Sequence, residues 1–233
     1  MDTNHSIAAA VFVAFLKCPT KAHLLAIGEP SPTAFFTNIE ERISSMYKSA
    51  VTPTLRVRTD VAEPLDFEDL WSSSDHEAIA RPVDCETTAY NVASPSHEPV
   101  GCQSRESTRS RTFVPVLFSP WDKPDVSNSL LVCFGALALE QVTGILAATG
   151  TVIYGEGHRR KTVKIADHIV RTRRTIDAIV ATCDSQEPPP LALNRHCAVC
   201  DFHPRCRGLA IQRDNLSLLS AMTGKERAKF HSL

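Results

Sequence analysis

The sequence predicts an α/β fold, a mixed central sheet flanked by helices. Three observations predict it. Strand-like and helical stretches alternate along most of the chain. One segment, Ser129 to Ala148, is apolar on nearly every side and reads as a deeply buried helix. Short β-rich runs, Thr112 to Phe118 and Thr151 to Tyr154, stand before and after it. There is no internal repeat and no heptad pattern, and 233 residues suffice for one large α/β domain or two small ones.

The elements follow in order. Residues 6–17 and 20–27 read as two helical pieces separated by Cys18-Pro19, with proline well placed to open the second. Pro30 to Pro32 form a turn, and 36–49 is helical, with Phe36, Ile39, Ile43 and Met46 at helical spacing. Val51 to Val61 and Ile79 to Val92 have β-like alternation. Residues 91–111 are polar and read as a flexible insertion. The strand Thr112 to Phe118 ends in the turn SPWDKPD. After the buried helix and the strand Thr151 to Tyr154, a basic turn, GEGHRRK, leads to a strand over Thr162 to Ile165. A long helix over Ala166 to Cys183 carries the apolar stripe Ile165, Ile169, Ile176, Ile179 and Val180, and Pro188 to Pro190 end it.

Composition restricts the function classes. Net charge is −1, so a nucleic-acid surface must be a local patch. The apolar run Ser6 to Leu16 invites comparison with a leader peptide. Its start, Met-Asp-Thr-Asn-His, has no basic residue, and Lys17 rather than a small residue precedes Cys18. The run is also too short for a bilayer, so a buried first helix is expected, and the protein is expected to be soluble and cytoplasmic.

Eight cysteines stand at 18, 85, 102, 133, 183, 197, 200 and 206. A secreted disulfide scaffold would be shorter and denser in cysteine, so the pattern points to a reducing compartment. CAVCDFHPRC spaces three of them as Cys-x2-Cys-x5-Cys. Thiolates three positions apart turn toward one ion through a knuckle, and a third closes the pocket. A fourth ligand must come from elsewhere, and His196, His203 and Cys18 are the candidates. Zinc would accept either histidine, whereas an iron–sulfur cluster prefers a fourth thiolate. Spacing alone does not choose. Cys85 and Cys133 read as small buried hydrophobes.

FLKCPTKAHL near the start, with LNRHCAVCDFHPRCRGLA far downstream, resembles the RecB-like nucleases that carry an iron–sulfur cluster, a group that includes the CRISPR-associated adaptation exonucleases. The resemblance places the family's cysteines on Cys18, Cys197, Cys200 and Cys206. It implies the restriction-endonuclease-like PD-(D/E)XK fold, a 4Fe–4S cluster with a structural role, and a DNA substrate. The expected partner is DNA, in single-stranded form, and a catalytically weakened relative would serve as a binding or scaffold module for a helicase or nuclease partner domain. On this reading residues 1–213 form the nuclease domain and 214–233 a helical tail like the first part of a helix-hairpin-helix, as in long multidomain members.

The family's chemistry needs an acid on one strand and (D/E)-x-K on the next, holding Mg²⁺ or Mn²⁺ that activates water. Asp84 matches the first acid, with Glu86 as a same-face neighbour two positions on. TFVPVLF carries no (D/E)-x-K, and the nearest substitutes are Asp122 and Lys123, adjacent and past Pro120. The family's Gln-x-x-x-Tyr helix motif is also missing from SLLVCFGALALEQ. Asp84 and Asp122 are therefore the expected metal ligands and Lys123 the charge-stabilising group. A relative that binds DNA without cutting it, or a zinc-stabilised binding module, are the alternatives.

From Arg159 to Arg174 there are seven basic residues and one acid, Asp167. Arg159, Arg160, Lys161, Lys164, Arg171 and Arg174 are the expected phosphate contacts, because each neutralised phosphate releases counterions. A solvated helix face is the plainer reading. Arg105, Arg109 and Arg111 in the polar loop are weaker candidates.

Overall fold

A computed structural model describes residues 7–31, 33–56, 88–92, 112–185, 187–219, 226 and 229–230. In chain order the elements are α1 (Ala9–Lys17), α2 (Pro19–Ala26), α3 (Phe35–Arg56), β1 (Thr88–Val92), β2 (Thr112–Ser119), α4 (Val126–Thr143), β3 (Thr149–Tyr154), β4 (Arg159–Lys164), α5 (Ile169–Asp184) and α6 (His203–Gln212). Single 3-10 turns lie at Ile165–Asp167, Arg195–Val199 and Leu216–Leu218. The chain divides into two compact units, Met1–Ala9 with Ile43–Arg174, and Ala10–Arg42 with Thr175–Leu233.

The first unit is built on a four-stranded mixed sheet in the order β1-β2-β3-β4. β1 runs antiparallel to β2, β2 parallel to β3, and β3 antiparallel to β4. Parallel neighbours need a crossover, and α4 supplies it. The helix starts at Val126 rather than Ser129 because Asp125 caps it: Asn128 N–H donates to Asp125 Oδ1 at 3.0 Å, and Asp125 N–H donates back to Asn128 Oδ1 at 2.9 Å. It stops at Thr143, short of Ala148, because Gly144 takes the left-handed conformation at φ 71° and its N–H bonds to Glu140 O.

The two faces of the sheet carry different helices. Val116, Phe118 and Ile153 share one face and pack with buried Val51 and with Tyr47, both from the second half of α3. On the other face, a Cβ added at Gly150 would collide with the Val132 side chain of α4 and lie 3.0 Å from Pro115 O. α3 and α4 therefore flank the sheet, and β2 is buried from Pro115 to Ser119 on both sides.

This packing corrects one expectation. Residues 51–56 were expected in a strand and instead extend α3. Val51 is fully buried against the sheet, and such tertiary contacts override local β preference. Pro53 is tolerated at an exposed position inside that helix. The expected strand over Ile79 to Val92 is observed at Thr88–Val92, and its earlier part lies outside the described residues. Arg159, Arg160 and Lys161 lie on β4 rather than in the turn before it, which tightens to Gly155–His158. Of the expected α5 stripe, Ile165 and Ile179 are buried and Ile169, Ile176 and Val180 half-buried.

The second unit gathers short helices around Leu24, Phe202 and Cys206, with Leu25, Leu191, Leu193 and Cys200 packed against them. Among the described residues, no helix is long and apolar enough to cross a membrane. Leu216–Leu218 is a 3-10 turn capped by Asn215, and most of the expected helical hairpin after it lies outside the described residues.

Candidate metal centre

Cys18, Cys197, Cys200 and Cys206 line one cavity of about 40 Å³ in the second unit. His196 and His203 line it too, so all three candidates for a fourth ligand are at the same place. The remaining wall includes apolar Leu191, Leu193, Val199 and Phe202. Each thiol is placed by a local device. Cys18 is the extended residue (φ −162°, ψ 110°) ahead of α2, and Pro19 with its fixed φ starts the helix directly after it. Asn194 caps the Arg195–Val199 turn, accepting from His196 N–H at 2.9 Å, and its own N–H donates to Cys197 Sγ at 3.3 Å. Asn194 Nδ2 also donates to Lys17 O at 3.2 Å, tying this turn to the residue before Cys18. Cys206 sits buried on α6, its N–H bonded to Phe202 O.

The electrostatics record the crowding of these thiols. Burial pushes Cys206 up to about 11, and the neighbouring Cys18 and Cys200 thiols add to the rise. Burial also raises Cys200, against opposing effects from a Phe202 backbone hydrogen bond and the Lys21 ammonium. His196 is lowered, first by burial and then by Arg195 and Lys17, which favours a neutral imidazole. All six cysteines among the described residues are free thiols.

A soft four-thiolate donor set suits an iron–sulfur cluster or zinc. Among the described residues, no three His, Cys, Asp or Glu side chains close on a single ion position. Four cysteines lining one cavity have the donor chemistry of a group held by sulfur.

Asp201, between Cys200 and Cys206, was not foreseen. It is 2% exposed and its carboxylate accepts four hydrogen bonds: Thr33 Oγ1 (3.1 Å) and Phe36 N–H (2.9 Å) on Oδ1, Thr37 N–H (3.0 Å) and Thr37 Oγ1 (2.7 Å) on Oδ2. Burial raises the carboxyl, but these bonds outweigh it and hold the group at about 2. No local signal marks this residue, because its partners lie far away in sequence. Asn194 was legible in principle, as a capping residue three positions before Cys197.

Asp84 and Glu86 lie outside the described residues. Asp122 and Lys123 are exposed in the turn that follows β2. Arg159 Nη2 donates to Asp122 O at 3.1 Å, and the Asp122 carboxylate borders Gly155. The Arg159 guanidinium also lies 4.9 Å from the Tyr154 ring centre, so it has a packing role. Arg160, Lys161 and Lys164 are exposed on β4, which is an edge of the sheet. Charges there also discourage strand-to-strand association. Arg171 and Arg174 are exposed on α5, and Arg173 stands 3.9 Å from Glu140.

The buried single cysteine behaves as read from sequence: Cys133 is fully enclosed, with Ile165 O 3.9 Å from its sulfur. No protein-family model matches the chain, and no curated protein is significantly similar to it.

Proposed function

We propose that the chain is a RecB-like nuclease domain acting on DNA, with a 4Fe–4S cluster held by Cys18, Cys197, Cys200 and Cys206. One observation carries the reading: Cys18, from the opposite end of the sequence, lines the same cavity as the C-terminal trio. When bound, a cluster of this kind would supply a structural cross-link, since filling such a site is coupled to folding. The chain's own contribution is to place sulfur. Cys18-Pro19 starts a helix, and Asn194 orders the turn that bears Cys197. The mixed sheet flanked by α3 and α4 supports a restriction-endonuclease-like core.

For cleavage, Asp84 and Asp122 would hold Mg²⁺ or Mn²⁺, with Glu86 beside Asp84 and Lys123 offsetting charge at the phosphate. The ion's chemistry is water activation and charge neutralisation. Arg159, Arg160, Lys161, Lys164, Arg171 and Arg174 would contact the DNA backbone in the cytoplasm of the cell, alongside a helicase or nuclease partner.

A second reading, DNA binding without cutting, is favoured by one observation. β2 (TFVPVLFS) carries no acid and no lysine, and it is buried on both faces from Pro115 onward. Two measurements separate these readings. Iron, sulfide and zinc analysis of anaerobically purified protein, with visible absorbance, identifies the centre; zinc without iron would replace the cluster reading by a zinc-stabilised module. Incubation with labelled single-stranded DNA and Mn²⁺ then tests cleavage. Activity that disappears in Asp84→Ala supports the nuclease. Binding without cleavage supports the second reading, and activity retained in Asp84→Ala removes the active-site assignment.

A further inference from the structure

We infer that Asp201 is a positioning residue that locks the cysteine loop onto the first turn of α3, so that filling the cysteine centre and capping this helix are one coupled event. The inference rests on the metal-site reading above.

The first turn of a helix leaves N–H groups with no partner inside the helix. The residue ahead of α3 normally supplies an oxygen to them, and Ser, Thr, Asp or Asn is preferred there. Here that residue is Ala34, at φ 49°, which has no side-chain oxygen. Asp201 does the work from a distant part of the chain. It accepts from Phe36 N–H and Thr37 N–H, the two amides a local cap would satisfy. Its negative charge also opposes the positive end of the helix.

The arrangement leaves little freedom. A carboxylate that is 2% exposed is costly to bury unless its oxygens are bonded, and here both are. Asp201 follows Cys200 directly, and Phe202 after it is 1% exposed in the same core as Cys206. His203 N–H bonds to Cys200 O at 2.9 Å and Cys206 N–H to Phe202 O at 3.0 Å. Displacing Asp201 therefore displaces two of the four thiols. Lys17, beside Cys18, also approaches Glu40 of α3 at 4.0 Å, but both are solvent-exposed and the pair adds little. Coupling between sites is reciprocal: whatever capping contributes to metal retention, retention contributes to capping.

The test uses the full chain as purified with its metal. Two quantities are followed: metal release to excess EDTA, and hydrogen exchange at Phe36 and Thr37. Asp201→Ala is expected to speed release by roughly tenfold, within the range of coupled sites, and to deprotect both amides. Asp201→Asn, which keeps an acceptor oxygen, should recover part of both. Gly150→Ala, which strains the sheet of the other unit, controls for general destabilisation and should leave the release rate unchanged. In the wild type, stripping the metal should itself speed exchange at Phe36 and Thr37. Release from Asp201→Ala at the wild-type rate, or exchange indifferent to the metal, overturns the inference. Wild type that holds neither iron nor zinc overturns the metal reading instead, and the coupling falls with it.

Discussion

Gly150→Ala offers the sharpest test of how the sheet and α4 are fitted together. An ordinary glycine-to-alanine change at a position with unstrained backbone stabilises by about 0.4–1 kcal/mol, because it narrows the unfolded ensemble. Gly150 lacks the positive φ that would forbid alanine, so the backbone itself is no obstacle. The obstacle is space. The new methyl would overlap Val132 Cγ1 and stand 3.0 Å from both Pro115 Cγ and Pro115 O. Val132 is fully buried and Pro115 O belongs to the backbone of the neighbouring strand, so neither can move aside freely. Overpacking of this kind costs about 1–3 kcal/mol. The net expectation is destabilisation by about 1–2 kcal/mol, read as a lower urea midpoint at unchanged slope. Val132→Ala alone should also destabilise, by about 2 kcal/mol, through lost burial and a cavity. In the double variant the new methyl enters the space vacated by Val132. The double variant should therefore be more stable than the sum of the singles predicts, by about 1 kcal/mol. The rescue is partial because Pro115 O stays in place. A neutral or stabilising Gly150→Ala, or strict additivity in the double variant, would refute the placement of α4 on β3.

Other predictions follow from the second unit and the basic edge. Asp201 has a folded value of about 2 against an ordinary 3.8, so its ionised form is favoured by folding. It should contribute about 2 kcal/mol above pH 4, shrinking as pH falls toward 2. Urea midpoints of wild type and Asp201→Asn measured down the acid range should converge near pH 2; a constant gap would count against the ionised cap. On the proposed cluster reading, Cys18→Ser should lose metal and visible absorbance, whereas Cys183→Ser, at a half-buried site away from the cavity lining, should keep both. On the proposed DNA-binding reading, replacing Arg160, Lys161 and Lys164 together by alanine should weaken binding and make its dependence on salt shallower by about 2–3 in the log–log slope. An unchanged slope would mean that β4 is charged only to protect a sheet edge.

Several features of this protein are legible residue by residue. The apolar run of α4 is legible in its own residues, whereas its ends at Val126 and Thr143, set by the Asp125 cap and by Gly144, differ from the Ser129 and Ala148 that apolarity alone suggests. The spacing of Cys197, Cys200 and Cys206 is equally local. Cys18 needed the help of a resemblance, because nothing near it names its partners. The extension of α3 through Val51 was misread for the opposite reason: the local preference is for a strand, and the burial that overrides it comes from Val116, Phe118 and Ile153.

What the sequence by itself determined is therefore the alternation of elements and the spacing of the three late cysteines, set by backbone preference and by residues a few positions apart. Only the tertiary structure decided that Cys18 joins the trio around one cavity, that α3 and α4 cover opposite faces of the sheet, and that Asp201 caps a helix lacking a cap of its own. These depend on contacts between residues far apart along the chain. Their energy comes from burial and from satisfying charges away from water, which no short window of sequence contains.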